Sequence, residues 1–471
     1  MRARRAVRSL LLPALVAASL VALPVAESAA DPYAGPTPGS SCVAGSLPET
    51  MQGRAPAEDV ATGRAAKGYT CNAVQIGYSG SSGGYRVERY VDPAGHECAF
   101  HDSDTFFGEQ AAFVGPDSTG VYVVDMHDPR HPVRTEVLRT PAMQSPHEGL
   151  RLNAKRGLLV AAFSTISTGP GDVEVYDVSK DCRHPTLLSS TPLGLLGHEG
   201  AFAPDGRTYY VTSLNAHSLA AVNLDDPTAP SLEWFIFDYG AHGASVSLDG
   251  KRLYVAESGG NNGFSGLTIL DVSQVQDRVP FPTVPVVSRL TWPQVSIPQN
   301  ATPFTRDGHP YVLETDEFGE RITGAARIID IADEKHPFVA SNLRLQVNQP
   351  EVYDELQNDP GNGATGRGYQ AHYCTVPSRV DPNIVACSFI MSGLRVFDIR
   401  NPAQPREVAY FNKPALTGER LNVGAFGMSA PAYDPASRDI WYADGNLGLY
   451  VVHLVGPAGI PFARSVVSPG S

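Results

Sequence analysis

Short apolar runs that end in a polar residue recur along the chain at intervals of 46 to 68 residues. The run VYVVD ends at Asp125, and proline follows seven residues later. Six further runs repeat this order, with the proline seven to nine residues after the anchor. The anchors are Asp125, Asp177, Asn223, Asp271, Asp330, Asp398 and His453. Self-similarity at such a period is typical of repeat architectures, so we predict seven structural units.

Each unit contains four short segments with strand composition. In the fourth unit these are HGASVSLDG (242–250), KRLYVAES (251–258), GLTILDVS (266–273) and VPVVSRLTW (284–292). The runs are rich in β-branched and aromatic residues and are separated by turn residues such as Asp-Gly. Seven units of four antiparallel strands predict an all-β fold, a seven-bladed β-propeller. The segment 71–80 resembles an outermost strand without a preceding signature, and we expect it to complete the last blade and close the ring.

The apolar-Asp signature resembles that of the LVIVD-repeat proteins, which are secreted or surface propellers. The likeness covers roughly residues 110–465 and is specific in ILDVS, IIDIA and VFDIR, each with its proline-containing turn. It weakens where Asn223 and His453 replace the aspartate. The resemblance implies the fold and export, and it implies no activity. We interpret the anchor aspartates as structural acceptors of backbone hydrogen bonds at the turn into the fourth strand.

The N-terminus resembles an export signal. Residues 1–30 combine four arginines, an apolar stretch and the small residues Ser28-Ala29-Ala30 before Asp31, which predicts a cleaved signal peptide; a retained signal anchor is the alternative. We expect residues 31–70 to form an N-terminal arm and residues 71–465 to form the propeller. The long insertion at 347–368 predicts a loop on one face.

The net charge and the cysteine content limit the possible partners and the possible compartment of the protein. The chain carries a formal net charge of −13, which argues against nucleic acid as a partner, and no apolar stretch after residue 30 is long enough to cross a bilayer. Six cysteines in an exported chain favour disulfides. We predict a Cys374–Cys387 bridge between neighbouring strands, with Cys42–Cys71 and Cys98–Cys182 as the simplest completion. A thiolate metal cluster is disfavoured because no C-x-x-C spacing occurs.

Histidines recur at one register of the first strand. Counting back seven residues from the Asp-Gly turns at 205, 249 and 307 gives His198, His242 and Asn300, and the same point in two less regular units holds His147 and His372. The count suggests Tyr85 in the first unit and Gly427 in the last. First strands line the channel of a propeller, so these residues are expected to face its axis.

Imidazoles gathered on an axis suit Cu, Zn, Fe or Ni. The candidate ligands of a transition metal such as copper are His147, His198, His242 and His372. Glu148 and Glu199 are candidate acids or bases. Asn300 and Tyr85 are candidate ligand-binding residues. The layout alone is similar to that of the selenium-binding proteins, which include methanethiol oxidases. The competing interpretation is that the histidines satisfy backbone groups at strand starts. A separate acidic run, with Glu314, Asp316 and Glu317, could bind calcium at a loop, but such runs are usually only solvated.

Three functions remain open at this level. The first is a secreted propeller that binds an unidentified small molecule or protein through its channel or one loop face. The second is a metal-dependent redox or lyase enzyme with a histidine-lined channel. The third is a structural or adhesion module at the cell surface. The fold alone does not distinguish these three functions, because propellers have unrelated activities.

Overall fold

Seven blades, each with four antiparallel strands, are arranged in a ring, as the repeat pattern predicts; in six of them the four strands are consecutive in the chain. This is a computed structural model, and it describes residues 26–27, 35–80, 82–103, 119–144, 146–163, 171–293, 295–318, 324–360, 362, 368–414 and 425–464. Within each blade, strands adjacent in sequence pair with each other, because short turns connect antiparallel neighbours. The seven-bladed β-propeller is confirmed.

The blades are numbered in chain order, with strands given from the channel outward. Blade 1 contains Val87–Val91, Glu97–Asp102, Val121–Asp125 and Val133–Leu138. Blade 2 contains Arg151–Asn153, Leu158–Phe163, Asp172–Asp177 and Thr186–Thr191. Blade 3 contains Glu199–Phe202, Thr208–Ser213, Ser218–Asn223 and Ser231–Phe237. Blade 4 contains Ala241–Val246, Arg252–Ser258, Ser265–Asp271 and Val286–Thr291.

The last three blades follow the same order. Blade 5 contains Ile297–Arg306, His309–Glu317, Ala326–Asp330 and Phe338–Leu343. Blade 6 contains Ala371–Thr375, Ile384–Phe389, Gly393–Asp398 and Arg406–Asn412. Blade 7 contains Ala432–Asp434, Asp439–Asp444, Gly448–Leu454 and Ala73–Ser79.

The ring is closed by a strand from the other end of the chain. Ala73–Ser79 pairs antiparallel with Gly448–Leu454, from Ala73 opposite Leu454 to Ser79 opposite Leu449. The prediction that segment 71–80 completes the last blade is confirmed. Closure in this way joins the two chain ends through a full set of strand hydrogen bonds, so the first and last described parts of the propeller stabilise each other.

The anchor residues of the repeat cap the turn into the outermost strand. The Oδ1 of Asp125 accepts the backbone N–H of His127 at 2.9 Å, and the same i+2 bond recurs at Asp177, Asn223, Asp271, Asp330 and Asp398. His453 differs, because its Nδ1 pairs with Asp439 at 2.7 Å. The structural interpretation of the anchors is therefore confirmed for the six Asp and Asn positions.

Apolar side chains of neighbouring blades pack face to face. Between blades 7 and 1, for example, Val124 and Tyr122 lie in one buried cluster with Trp441 and Val451. Between blades 2 and 3, Val160 and Val175 pack with Tyr209 and Val222. The alternation of strand residues between two buried faces explains why the signature runs are almost continuously apolar.

The N-terminal arm lies against blades 5 and 6. It contains the helix Ala57–Ala61, a 3₁₀ turn at Ala65–Lys67 and the strand Tyr69–Cys71, which adds a fifth strand to blade 6 beside Arg406–Asn412. A buried ion-pair cluster fixes it, since the Arg395 guanidinium contacts Glu49 of the arm at 2.7 Å and Glu407 at 3.1 Å.

The three disulfides join Cys42 to Cys71, Cys98 to Cys182 and Cys374 to Cys387, so all three predicted pairs are confirmed. The first pins the arm, the second joins blade 1 to the turn between the third and fourth strands of blade 2, and the third links two paired strands of blade 6. Because Cys374 lies directly opposite Cys387 in that pairing, the predicted neighbouring strands account for the bridge.

Helices are few and short. Besides Ala57–Ala61 and Ala65–Lys67, the described residues form one-turn segments at Pro141–Gln144, Ser273–Gln276, Gln346–Asn348, Pro350–Val352, Tyr353–Leu356 and Gly456–Ala458. Three of these occupy the insertion that we expected to be a loop, and Arg54 of the arm contacts Asp359 there at 2.8 Å.

In the described part of the chain, no helix has the length and apolar character needed to traverse a bilayer. Of the predicted signal segment, the structure describes only Ala26–Glu27, which pairs in parallel with Val286–Thr291.

Candidate metal centre in the channel

The first strands of the blades begin at one rim of the channel, and three of them contain a bulge there. In blades 4, 5 and 6 the pairing of the first and second strands shifts by one residue. The extra residues are His242, Gln299 and His372. A bulge leaves its residue outside the strand ladder and redirects its side chain, which is how two of the histidines leave the sheet plane.

Four histidines from four blades converge on the carboxylate of Glu148. Its Oε2 lies 3.1 Å from His198 Nε2, 3.6 Å from His242 Nε2 and 3.9 Å from His147 Nδ1. Its Oε1 lies 3.1 Å from His372 Nε2. The sequence prediction that these residues face one another across the axis agrees with this placement. Their role as metal ligands remains a prediction.

The histidine rings form a continuous arc. The ring centroids of His147 and His198 are 4.5 Å apart, and those of His198 and His242 are 4.7 Å apart. Tyr85 stacks on His147 with a centroid distance of 4.2 Å, so it forms one wall of the centre. The predicted ligand-binding role of Tyr85 is not tested by this contact, which is with a histidine.

Backbone carbonyls orient two of the rings. His242 Nδ1 lies 3.0 Å from the carbonyl of Pro298, and His372 Nδ1 lies 2.6 Å from the carbonyl of Met428. A carbonyl only accepts, so each Nδ1 carries a hydrogen and each Nε2 faces the centre. Such an outer hydrogen bond is the usual way in which a protein fixes the tautomer of a metal-binding histidine.

His147 is held in an unusual backbone conformation. Its φ of 51° lies in the left-handed region, which a residue with a Cβ adopts at an energetic cost. The conformation falls in the tight turn before the first strand of blade 2, where the backbone N–H of Gly149 donates to the carbonyl of Pro146. Strain of this kind clusters at functional sites, because the surroundings must compensate for it.

Burial and charge shift the pKa values of the centre in opposite directions. Burial lowers the pKa of His147 well below its usual value and that of His242 to about 4, so both rings are neutral at pH 7. Burial also disfavours the charged form of His372, but its contacts with Glu148 and Glu317 prevail and raise its pKa to about 9. Burial alone would raise the pKa of Glu148, yet the neighbouring histidines, His198 first, hold it well below its usual value.

Glu317 is a member of the centre that sequence reasoning did not assign to it. Its two carboxylate oxygens lie 3.8 Å from His242 Nε2 and 3.3 Å from His372 Nε2. It ends the second strand of blade 5, opposite Ile297 at the start of the first strand. Antiparallel pairing brings the end of every second strand to the rim where the first strand begins, and this signal could have identified it.

The other two acids of that run serve a different purpose. Glu314 and Asp316 both bind the guanidinium of Arg327, Asp316 at a distance of 3.0 Å. Trp292 Nε1 donates to Asp316 at 2.9 Å. Both acids lie in a buried strand rather than on the solvated loop that the sequence suggested, and their carboxylates are engaged by Arg327.

A second layer of charged residues lies next to the histidine centre. The Glu199 carboxylate binds the guanidinium groups of Arg86 and Arg151 and accepts a hydrogen bond from Asn300 Nδ2 at 2.8 Å. Arg86 also donates to the backbone carbonyl of Glu148 at 3.0 Å, which joins the two layers. Gly243 is required beside them, because a Cβ there would overlap the Glu199 carboxylate.

This layer bears on two sequence-based assignments. Glu199, predicted as an acid or base, is engaged by two arginines and one amide, and its acid or base role stays a prediction. Asn300 is one position out of register, since the pairing puts Gln299 at the position equivalent to His242 and His372. Gln299 itself donates to the hydroxyl of Tyr373 at 3.0 Å.

The comparisons with known proteins show similarity to solved structures and none to a known family. No protein-family model and no curated protein sequence matches the chain. A solved protein from Lactobacillus plantarum is similar, with a TM-score of 0.50 and 14% identity over 78% of this chain and 98% of that one.

Two further solved structures are similar at lower scores. The periplasmic gluconolactonase of Pseudomonas aeruginosa has a TM-score of 0.45 and 14% identity over 72% of this chain and 92% of its own. A putative 6-phosphogluconolactonase from Bacteroides uniformis has a TM-score of 0.49 and 11% identity over 73% and 88%. At such identities the likeness concerns the fold alone. The chain's own seven four-stranded blades define its class, the seven-bladed β-propeller.

Proposed function

We propose that this propeller binds one transition-metal ion at the rim of its channel and that the ion binds a small ligand there. The observation that carries the proposal is the convergence of four imidazoles from four blades on Glu148. The ligands are His147, His198 and His242 with Glu148. Glu317 and His372 complete the shell, and His372 gives up its Nε2 proton if it binds the ion. Imidazole with carboxylate suits copper, zinc, iron or nickel.

The spacing of the donor atoms supports this assignment. Metal bonds of about 2.0–2.2 Å place neighbouring ligand atoms roughly 3–4 Å apart. The distances from Glu148 Oε2 to the three nearest histidine nitrogens, 3.1, 3.6 and 3.9 Å, fall in that range. His147, Glu148 and His198 each offer an atom within 4.8 Å of the others.

The orientation of His242 adds an independent argument. Its Nδ1–H is committed to the carbonyl of Pro298, so the neutral ring presents a lone pair on Nε2 to the carboxylates of Glu148 and Glu317. A lone pair and two carboxylates repel one another unless a cation lies between them. A divalent ion at that point attracts all three.

The open side of the centre lies at His198 and Glu317. Their side chains are 16% and 10% exposed, whereas those of His242 and His372 are 1% exposed. A ligand therefore reaches the ion from that side. Glu317 is the carboxylate placed to move a proton to or from a bound ligand, which extends the proposal to a metal-dependent redox or lyase reaction.

Metal analysis of the exported protein, made without a histidine tag, tests the proposal. We expect one equivalent of a transition metal in the wild type and its loss in the double variant His198→Ala/His242→Ala. The matched control is His131→Ala/His336→Ala, because both of those histidines are exposed and pair only with an aspartate three residues earlier. Its metal content should equal that of the wild type.

A second variant protects the test against misfolding. Glu148→Gln keeps the shape of the side chain and removes its charge, so we expect a folded protein with lower metal content.

Added metal should raise the unfolding temperature of metal-free wild type, since a ligand that binds only the native state stabilises it. Metal-free wild type whose unfolding temperature does not respond to copper, zinc, iron or nickel would refute the proposal. Cell binding that survives all four histidine replacements would favour an adhesion module instead.

We further infer that the chain is exported and belongs with the LVIVD-repeat propellers. Disulfides form and persist in oxidising compartments, and this chain has three. Residues 1–30 also have the composition of a signal peptide. Expression with the native leader should yield a secreted or envelope protein without free thiols. Cytoplasmic accumulation of reduced protein would contradict the inference.

A further inference from the structure

A polar cavity lies toward the opposite end of the channel from the histidine centre. It has a volume of about 330 Å³ and is lined by the first strands of blades 1 to 4 and by the hairpin of blade 6. Its polar lining includes Glu88, Arg151, Asn153, Ser245 and Arg379. The first strands run from the histidine rim toward this end, so the cavity and the proposed metal centre are separated along the axis by the layer of Arg86, Arg151 and Glu199.

Arg379 has no acidic partner among the described residues. Its guanidinium donates to the backbone carbonyl of Val246, and no described carboxylate forms an ion pair with it. Arg395 provides the contrast, because it is fully buried but is held by Glu49 and Glu407. Burial lowers the pKa of Arg379 to about 10, whereas the two carboxylates raise that of Arg395. Arg379, which is half-buried, therefore presents a guanidinium charge that forms no ion pair with a described carboxylate.

Positive charge also exceeds negative charge around the cavity as a whole. Three guanidinium groups, those of Arg86, Arg151 and Arg379, lie in or beside the cavity, and two carboxyl groups, those of Glu199 and Glu88, accompany them. Glu199 is shared by Arg86 and Arg151, and burial raises the pKa of Glu88. One guanidinium charge is left over, and it is the one beside Val246.

We propose that this cavity is a binding site for a small organic oxyanion, with Arg379 as the principal ligand of its carboxylate or phosphate group. Guanidinium groups match both anions by paired N–H donors. Ser245 and Asn153 offer a hydroxyl and an amide for hydroxyl groups of the ligand, and Phe202 and Leu248 supply apolar contact. A cavity of this size admits a ligand of a few carbon atoms rather than a polymer.

The proposal is independent of the metal centre. No residue that lines the cavity is one of the proposed metal ligands. A protein without metal should still bind the anion, and loss of the anion site should leave the metal content unchanged.

Isothermal titration calorimetry of the disulfide-bonded protein at low ionic strength tests the anion site. The probes are inorganic phosphate, tartrate as a hydroxylated carboxylate, and glycerol as a neutral control. We expect phosphate or tartrate to bind and glycerol not to bind, and the better of the two anions identifies the headgroup. Arg379→Gln should weaken that binding at least about tenfold, the loss typical of one charge-assisted contact.

A matched pair of variants at the mouth of the cavity covers the case in which Arg379→Gln does not fold. Leu248 lines the cavity and is 50% exposed, so a polar residue is tolerated there. Leu248→Glu should weaken anion binding several-fold by repulsion, while Leu248→Gln should leave it within about twofold. Absence of binding by both anions, or equal affinities of the Leu248→Glu and Leu248→Gln proteins, would overturn the proposal.

Discussion

At the scale of single residues, buried polar groups determine how this propeller responds to its surroundings. His101 is an example outside the proposed metal centre. It is 1% exposed, its Nδ1 lies 3.2 Å from the carbonyl of Asp102, and its ring meets that of Tyr122 edge to face. Burial lowers the pKa of His101 to about 4, so the folded protein keeps this ring neutral where an exposed histidine would be protonated.

The stability of the protein should therefore fall in mild acid because of His101. The unfolded chain binds a proton at this position below a pH of about 6.5, whereas the folded chain does so only near 4. Between those values only the unfolded state gains the proton, so the free energy of unfolding falls by up to about 1.4 kcal/mol per pH unit. Chemical denaturation from pH 7 to pH 4.5 should show a smaller loss for His101→Gln than for the wild type.

His131→Gln is the control for this experiment, because the side chain of His131 is 80% exposed. Its stability profile should run parallel to that of the wild type. A wild-type profile that coincides in shape with that of His101→Gln would show that His101 is protonated in the folded protein.

At the scale of strands and turns, local chemistry repeats from blade to blade and is therefore visible in the sequence. The anchor and the proline predicted the turn into each fourth strand, and the anchors make the same bond in six blades.

The position of residues in the channel was predicted less well, because it depends on hairpin length. In blade 5 the turn Asp307-Gly308 is closed by Arg306 and His309. In blade 4 the turn that contains Asp249 is closed by Ser247 and Arg252. A fixed count from the aspartate therefore reached Asn300 instead of Gln299.

Counting along the sequence could not identify residues that only the closed ring brings together. Glu317 belongs to a second strand, and its contacts with His242 and His372 join blades 4, 5 and 6. The pairing of Arg86 with Glu199 spans 113 residues. The sequence predicted which side chains could reach the axis, but the depth at which each lies depends on bulges and on neighbouring blades.

The anchor bond itself can be tested in blade 1. Asp125→Ala removes the acceptor for the N–H of His127, and we expect a loss of about 1 kcal/mol in the free energy of unfolding. Asp125→Asn should lose less than half as much, because Asn223 makes the same bond naturally in blade 3. Urea denaturation of the three proteins measures the difference. Equal losses in the two variants would mean that the charge matters and the bond does not.

At the scale of the whole molecule, the arm and the ring closure depend on each other. The Cys42–Cys71 disulfide holds the arm two residues before the closing strand begins at Ala73. The bridge spans 29 residues, and removing such a cross-link typically costs about 3 kcal/mol. Cys42→Ser/Cys71→Ser should therefore be less stable and should be cleaved faster by proteases within residues 35–68.

Cys374→Ser/Cys387→Ser is the matched control, because its bridge lies between two paired strands of blade 6. It should lower stability without increasing cleavage of the arm. Limited proteolysis followed by mass spectrometry locates the cuts. Equal cleavage of the arm in both variants would show that the Glu49–Arg395 contacts, and not the disulfide, hold it in place.

The shared construction of blade 7 has a consequence for biogenesis. The strand Ala73–Ser79 is among the first parts of the propeller to be synthesised, but its partner Gly448–Leu454 is among the last. A nascent chain therefore carries an unsatisfied edge through almost the whole of translation, and such edges invite association with other chains. The closed ring can therefore form only after Gly448–Leu454 has been made, and until then Ala73–Ser79 has to be kept from pairing with other chains.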